Sequence, residues 1–164
     1  MKPPSAMIEC RNAHIVYVCE RMRQDEIEQW VAFTGTEWNP EIAAGVFINK
    51  LGPKFTVLGP DNLPAAVGGF EEVLPGVWQS WMAGTPEGWA TSWRAITKGC
   101  RWLMEALLAG YARRLQTNAL AHRVEAIEWY ERSLGLVREG VMHALGAGGE
   151  DAIMFARVVR HGQQ

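Results

Sequence analysis

The chain has little with which to build a covalent or metal framework. It holds three cysteines in 164 residues, and Cys10, Cys19 and Cys100 form no C-x-x-C pair. An odd, unframed set of thiols excludes a disulfide scaffold and points to reduced cysteines in a cytosolic compartment. The four histidines, His14, His122, His143 and His161, lack ligand spacing, so no metal is expected. No apolar run approaches membrane-spanning length, and the opening MKPPSAMIEC lacks the apolar centre of a signal peptide. A soluble, cytoplasmic protein with no membrane partner is the expectation. Positive charge is also in short supply. A net charge of −2 argues against nucleic acid as the main partner. The local pairs Arg21/Arg23 and Arg113/Arg114 read as solvated faces. There is no G-x-S-x-G elbow and no Walker loop.

What is present is ordinary in bulk and unusual in one place. With 48% apolar and 21% charged residues, the chain has the composition of a globular protein, and residues 1–164 are expected to form one domain. Of its eight tryptophans, Trp78, Trp81, Trp89, Trp93 and Trp102 cluster in one stretch, which is therefore heavily packed or lines a pocket.

That stretch, from Val77 to Leu115, organises the rest. Val77–Ala83 alternates Val77, Gln79, Trp81 and Ala83 on one face with Trp78, Ser80 and Met82 on the other. Both faces are largely apolar, as in a buried strand. Thr85-Pro86-Glu87 then supplies an N-cap, a first-turn proline and an acid suited to a helix start. Thr91 or Ser92 offers a second cap, so a short turn could precede the main helix. Trp93, Ile96, Cys100, Leu103, Met104, Leu107, Tyr111 and Leu115 recur at helical spacing. Two readings stay open: a plain strand–helix connection, or an anion site made from the free N–H groups of the helix start.

Before it, Met7–Cys10 reads as a short strand. Asn12 can cap a helix carrying Ile15, Cys19 and Met22, although the β-branched HIVYVC leaves a strand open. Asp25 and Glu28 resemble a capping box for a helix ending at Gly35. Asn39-Pro40-Glu41 starts a third, running through Leu51 to Gly52-Pro53. FTVL, Leu63–Val73 and Val77–Ala83 form a meander, with Gly68-Gly69 marking a bulge or a close backbone approach. After the long helix, Leu115–His122 reads as a strand parallel to Val77–Ala83. Val124–Leu134 is a helix, and the remainder is a hairpin around Gly146–Gly149.

This order of elements, with Ala126-Ile127-Glu128-Trp129-Tyr130 leading into Leu134-Gly135-Leu136, resembles the GCN5-related N-acetyltransferase (GNAT) superfamily. The nearer likeness is to acetyltransferase-like proteins of tailed bacteriophages, including internal virion proteins. Glu20–Glu26 (ERMRQDE), Ala65–Gly69 (AAVGG) and Trp81–Thr85 (WMAGT) carry it. AIEWYERSLGL is also similar to the signature of glyoxalase-type domains, but those need more strands than the one hairpin that follows here. The GNAT likeness implies an α/β fold with a mixed, mostly antiparallel six- or seven-stranded sheet flanked by helices. Strands 77–83 and 115–122 would be a splayed parallel pair.

The same likeness implies acetyl-CoA as cofactor, held by Trp81, Met82, Ala83, Gly84, Thr85, Gly88, Trp89, Ala90 and Thr91. It implies a small-molecule or protein amine as acceptor, and for the phage type a virion or host-protein partner. Tyr130 takes the position of the acid that returns a proton to the departing thiolate; packing its helix onto the sheet is the alternative. His122 could relay the amine's proton or serve only structurally. Glu71 and Glu72 could reach the opening through water, or stand as exposed hairpin charges. Two departures stand out. The family's R/Q-x-x-G-x-G/A loop is replaced by Gly84–Ala90, which has no basic residue, a proline without an N–H, and Glu87. One extra residue separates Tyr130 from Gly135.

Overall fold

The helices begin where local chemistry provides for their free amides. In the computed structural model, which describes residues 1–160, Asn39 Oδ1 accepts a hydrogen bond from the Ile42 N–H at 3.1 Å and Pro40 opens α3 (Pro40–Asn49). Thr85 Oγ1 likewise accepts from the Gly88 N–H at 2.9 Å, with Pro86 first in α4 (Pro86–Gly110). The tail from His161 lies outside the described residues. α4 is one unbroken helix: Thr91 donates its hydroxyl back to the Glu87 carbonyl and starts nothing. Its stripe of Ile96, Cys100, Leu103 and Leu107 is buried, whereas Trp93 and Tyr111 are 44% and 70% exposed. α1 (Asn12–Cys19) is helical despite its β-branched residues, because Ile15, Val18 and Cys19 bury against α3 and the sheet. α2 (Gln24–Thr34) ends at Gly35, whose φ of +68° suits glycine.

Seven strands form one sheet: β1 (Met7–Glu9), β2 (Lys54–Leu58), β3 (Pro64–Leu74), β4 (Val77–Gly84), β5 (Arg114–Leu120), β6 (Val137–Met142) and β7 (Ala152–Val158), in the order β1-β2-β3-β4-β5-β7-β6. Every neighbouring pair is antiparallel except β4 and β5. Across Gly68 and Gly69 the β2–β3–β4 register runs without a break. The glycines serve close approach, since a Cβ on Gly69 would overlap the Pro53 carbonyl oxygen. One apolar layer packs α4 against the sheet; a second packs α1 and α3 on the other face.

α5 (Val124–Glu128) continues into a π turn, Trp129–Ser133, closed by the Leu134 N–H donating to the Trp129 carbonyl at 3.1 Å. A π turn accommodates one residue more than an α turn. It therefore absorbs the extra residue before Gly135, and Leu134 and Leu136 still reach the core.

Candidate active site at the split between two strands

β4 and β5 stay together for only three residue pairs, Val77↔Arg114, Trp78↔Leu115 and Gln79↔Gln116. Beyond them β4 runs on to Gly84 and β5 to Leu120 without pairing to each other. A cavity of about 740 Å³ opens there, reached by residues from both faces of the sheet. On the α4 face it is lined by Met82, Cys100, Met104, Leu115, Trp129 and Tyr130. On the α2 face it is lined by Glu26, Gln29, Trp30, Trp81, Gln116 and Asn118.

The loose ends of the two strands are tied to α2. The Gly84 N–H donates to Glu26 Oε2 at 3.1 Å, and the Gly84 carbonyl accepts from the Arg23 N–H at 3.1 Å. On the other strand the Leu120 N–H donates to Gln29 Oε1 at 3.1 Å. Arg123, buried just past β5, donates to Asp25 at 2.8 Å and to Gln29 at 2.8 Å. Since Gly84 turns its backbone groups away from β3, alternation along the strand turns the Met82 N–H and C=O into the split.

Electrostatics separate the two walls. Burial pushes the Glu26 carboxyl above its ordinary value, against the pull of the Arg23 and Arg123 charges. Its bonds to Gly84 and Arg23 both fall on Oε2, leaving Oε1 without a hydrogen bond among the described residues. Burial likewise raises the Tyr130 hydroxyl, opposed by the Arg123 charge and a hydrogen bond with Thr117. The Tyr130 ring packs 5.4 Å from Phe155 and 5.6 Å from Trp129, centroid to centroid. Asp25 is held below the usual carboxylate range: burial would raise it, but the Arg123 hydrogen bond and charge, with Arg23, outweigh that. Cys100 is a buried thiol pushed up to about 12, so it is no nucleophile near neutral pH. Asn118 Oδ1 and the Trp89 Nε1–H are buried and unpartnered among the described residues, and both residues line the cavity.

The residues expected to hold a cofactor are brought to one end of this opening, and their backbone groups are largely engaged within the protein. Besides the Gly84 N–H, the Thr85 N–H donates to the Ala65 carbonyl at 3.0 Å and the Trp89 N–H to the Thr85 carbonyl at 3.0 Å. Gly88 is capped by Thr85, and Pro86 has no N–H. The anion site read from the helix start thus keeps, among the described residues, one free amide in that run, that of Glu87. The opening fits a neutral, amide-bearing thioester arm beside Met82, but the residues around α4's start do not fit a diphosphate. Trp81, Met82, Trp89 and Ala90 line the cavity; Ala83, Gly84, Thr85, Gly88 and Thr91 do not.

His122 sits exposed in the turn after β5 and does not line the cavity. Glu71 pairs with Lys50 at the end of α3 at 3.1 Å, and Glu72 accepts from the Gly76 N–H at 2.7 Å within the β3–β4 hairpin. Sequence reading missed Arg23, Asp25, Glu26, Gln29 and Arg123. The only signal was the resemblance of Glu20–Glu26; Arg23 read as solvated, yet its guanidinium lies 4.4 Å over the Trp89 ring. Among the described residues no group of three or more His, Cys, Asp or Glu could hold a metal ion, and no helix is long and apolar enough to cross a membrane.

No protein-family model matches the sequence, and no curated protein matches it. Solved structures match over nearly its whole length. A ribosomal-protein-alanine N-acetyltransferase from Brucella melitensis gives a TM-score of 0.70 at 11% identity, covering 93% of this chain and 99% of the other. A GNAT-superfamily phosphinothricin acetyltransferase from Sinorhizobium meliloti, in complex with AcCoA, gives 0.71 at 14% identity, covering 96% and 89%. A mutant spermidine N-acetyltransferase from Vibrio cholerae gives 0.64 at 11% identity, covering 93% and 94%. Identity this low speaks for architecture alone, and on that architecture the chain has the GNAT fold.

Proposed function

We propose that the protein is an amine N-acetyltransferase of phage or prophage type, in which an amine attacks an acetyl thioester directly inside the β4–β5 split. The observation that carries this reading is the split itself, opened to both faces of the sheet, with a tyrosine hydroxyl on one wall and a carboxylate on the other. Acetyl-CoA, the ligand of one structural neighbour, would supply an acetyl group already activated as a thioester. Trp81, Met82 and Ala83 form the strand edge along which its arm would lie, with Trp89 and Ala90 at the entrance. Gly84 and Thr85, at the end of β4 and the cap of α4, and Gly88 and Thr91, in α4's first turns, would shape that entrance.

Tyr130 holds its proton at neutral pH and is the group that would return it to the leaving sulfur. Glu26 Oε1 would take the amine's proton, a role that exposed His122 could share only through solvent. Asn118 Oδ1, lacking a donor, would receive an N–H of the acceptor and hold it on the α2 face. The acceptor is a small-molecule or protein amine. A folded-state ligand at a hundredfold excess over its Kd stabilises by about 2.7 kcal/mol, a readily measured melting shift. Such a shift with acetyl-CoA, with turnover on an amine panel, is the expected result; its absence at millimolar acetyl-CoA would remove the enzyme reading.

The engaged amides around α4's start favour a second reading. In it the fold serves as a virion or assembly component, or binds a host protein, without catalysis. The same melting experiment separates the two.

A further inference from the structure

Building on the acyltransferase reading, we infer that the split recognises its donor through the neutral pantetheine thioester arm alone, and that the nucleotide diphosphate of a coenzyme A donor adds nothing to binding. A diphosphate needs several convergent N–H donors or cations. From Gly84 to Trp89 only the Glu87 amide is free among the described residues, and the Glu87 side chain is a carboxylate. Space is missing as well as donors. The Trp89 indole lies against Gly84, and the Gly88 backbone lies against that of Ala65, so a Cβ at either glycine would overlap its neighbour.

Two of the cations at this end are already paired, and a third, Arg94 on α4, lies 4.9 Å over the Trp93 ring. Arg23 lies 3.3 Å from Glu26 and 3.6 Å from Asp25, and Arg123 is bonded to Asp25. Exposed Glu87 and Glu125 add negative charge. The arm meets the opposite conditions. It consists of two amides separated by short alkyl links, and the split offers it the Met82 backbone groups between apolar walls of Cys100, Met104 and Leu115. What the arm is attached to would lie outside the Trp89–Ala90 entrance, in solvent.

Isothermal calorimetry on the full chain tests this with three probes: acetyl-CoA, S-acetyl-pantetheine and 3′,5′-ADP. The two thioesters should bind with Kd values within about fivefold, and the nucleotide should give no heat. Acetyl-CoA binding should also change little between about 50 and 500 mM NaCl, because screening acts on charge contacts. A preference for acetyl-CoA above about fivefold, or affinity that falls steeply with salt, would overturn the inference. If neither thioester binds, the acyltransferase reading fails, and this inference with it.

Discussion

Glu26 Oε2 accepts a hydrogen bond from the Gly84 backbone N–H at 3.1 Å, across a separation of 58 positions. One helical turn later, Gln29 Oε1 does the same for Leu120 on the neighbouring strand. Two strands that part leave backbone groups that no longer satisfy each other, and buried groups of that kind must find partners. α2 supplies them, so the helix that closes the open end of the split also carries its acid.

Replacing that acid tests both roles. Burial raises the folded-state pKa of Glu26, so its contribution to stability is greatest below the unfolded-state pKa and is lost as pH rises through the folded value. Glutamine keeps an acceptor for Gly84 and does not titrate. In urea unfolding, Glu26→Gln should gain stability relative to the parent protein as pH rises above about 4, the ordinary glutamate value. A difference independent of pH would show that the carboxyl does not titrate with folding. Turnover should fall in the same variant.

Tyr130→Phe keeps the ring against Phe155 and Trp129 and removes only the hydroxyl. Stability should change by less than about 1.5 kcal/mol, while kcat should fall by about a hundredfold or more with the acetyl-CoA melting shift retained. Unchanged turnover would leave Tyr130 a packing residue.

Among the described residues Asn118 Oδ1 has no hydrogen bond to lose. Asn118→Ala should therefore alter unfolding free energy by less than about 1 kcal/mol, although removing a buried amide usually costs more. Steady-state kinetics should show the acceptor KM raised by about tenfold with kcat little changed. A normal KM would remove Asn118 from the acceptor site.

Two glycines of α4 should respond in opposite directions to alanine. At Gly88 a Cβ would overlap the Ala65 carbonyl, so Gly88→Ala should cost about 2 kcal/mol or more. At Gly110 nothing lies within 4 Å, and Gly110→Ala should stabilise by a few tenths to about 1 kcal/mol. Thermal unfolding of the pair reads out whether the helix start is as tightly seated on β3 as its contacts imply.

Element types were legible because each depends on neighbours a few positions away. The caps at Asn39 and Thr85, the stop at Gly35 and the strand alternation of Val77–Ala83 are local arrangements, and all appear in the fold. Helix limits were less legible. α3 stops at Asn49, short of Leu51, and α4 leaves Tyr111 outside its buried stripe. Both ends depend on what the helix meets in space. The site was legible only in part. Tyr130 and Met82 came with the family likeness and line the cavity, whereas Glu26, Gln29 and Arg123 join it through contacts between residues 58 to 98 positions apart.

By itself, then, the order of side chains determined a helix start at Thr85 and a tyrosine leading into Leu134-Gly135, because capping and periodicity are short-range physics. Whether that helix start could hold an anion was decided largely in three dimensions, the Thr85 cap on Gly88 being the one local part. The donors Gly84, Thr85 and Gly88 were claimed by Glu26, Ala65 and Thr85 itself. Tertiary packing likewise decided that the extra residue after Tyr130 became a π turn rather than a displaced side chain, since Leu134 and Leu136 had to reach the core. An unpaired amide is visible in a sequence; a partner distant in the chain, such as Glu26 for Gly84 or Ala65 for Thr85, is not.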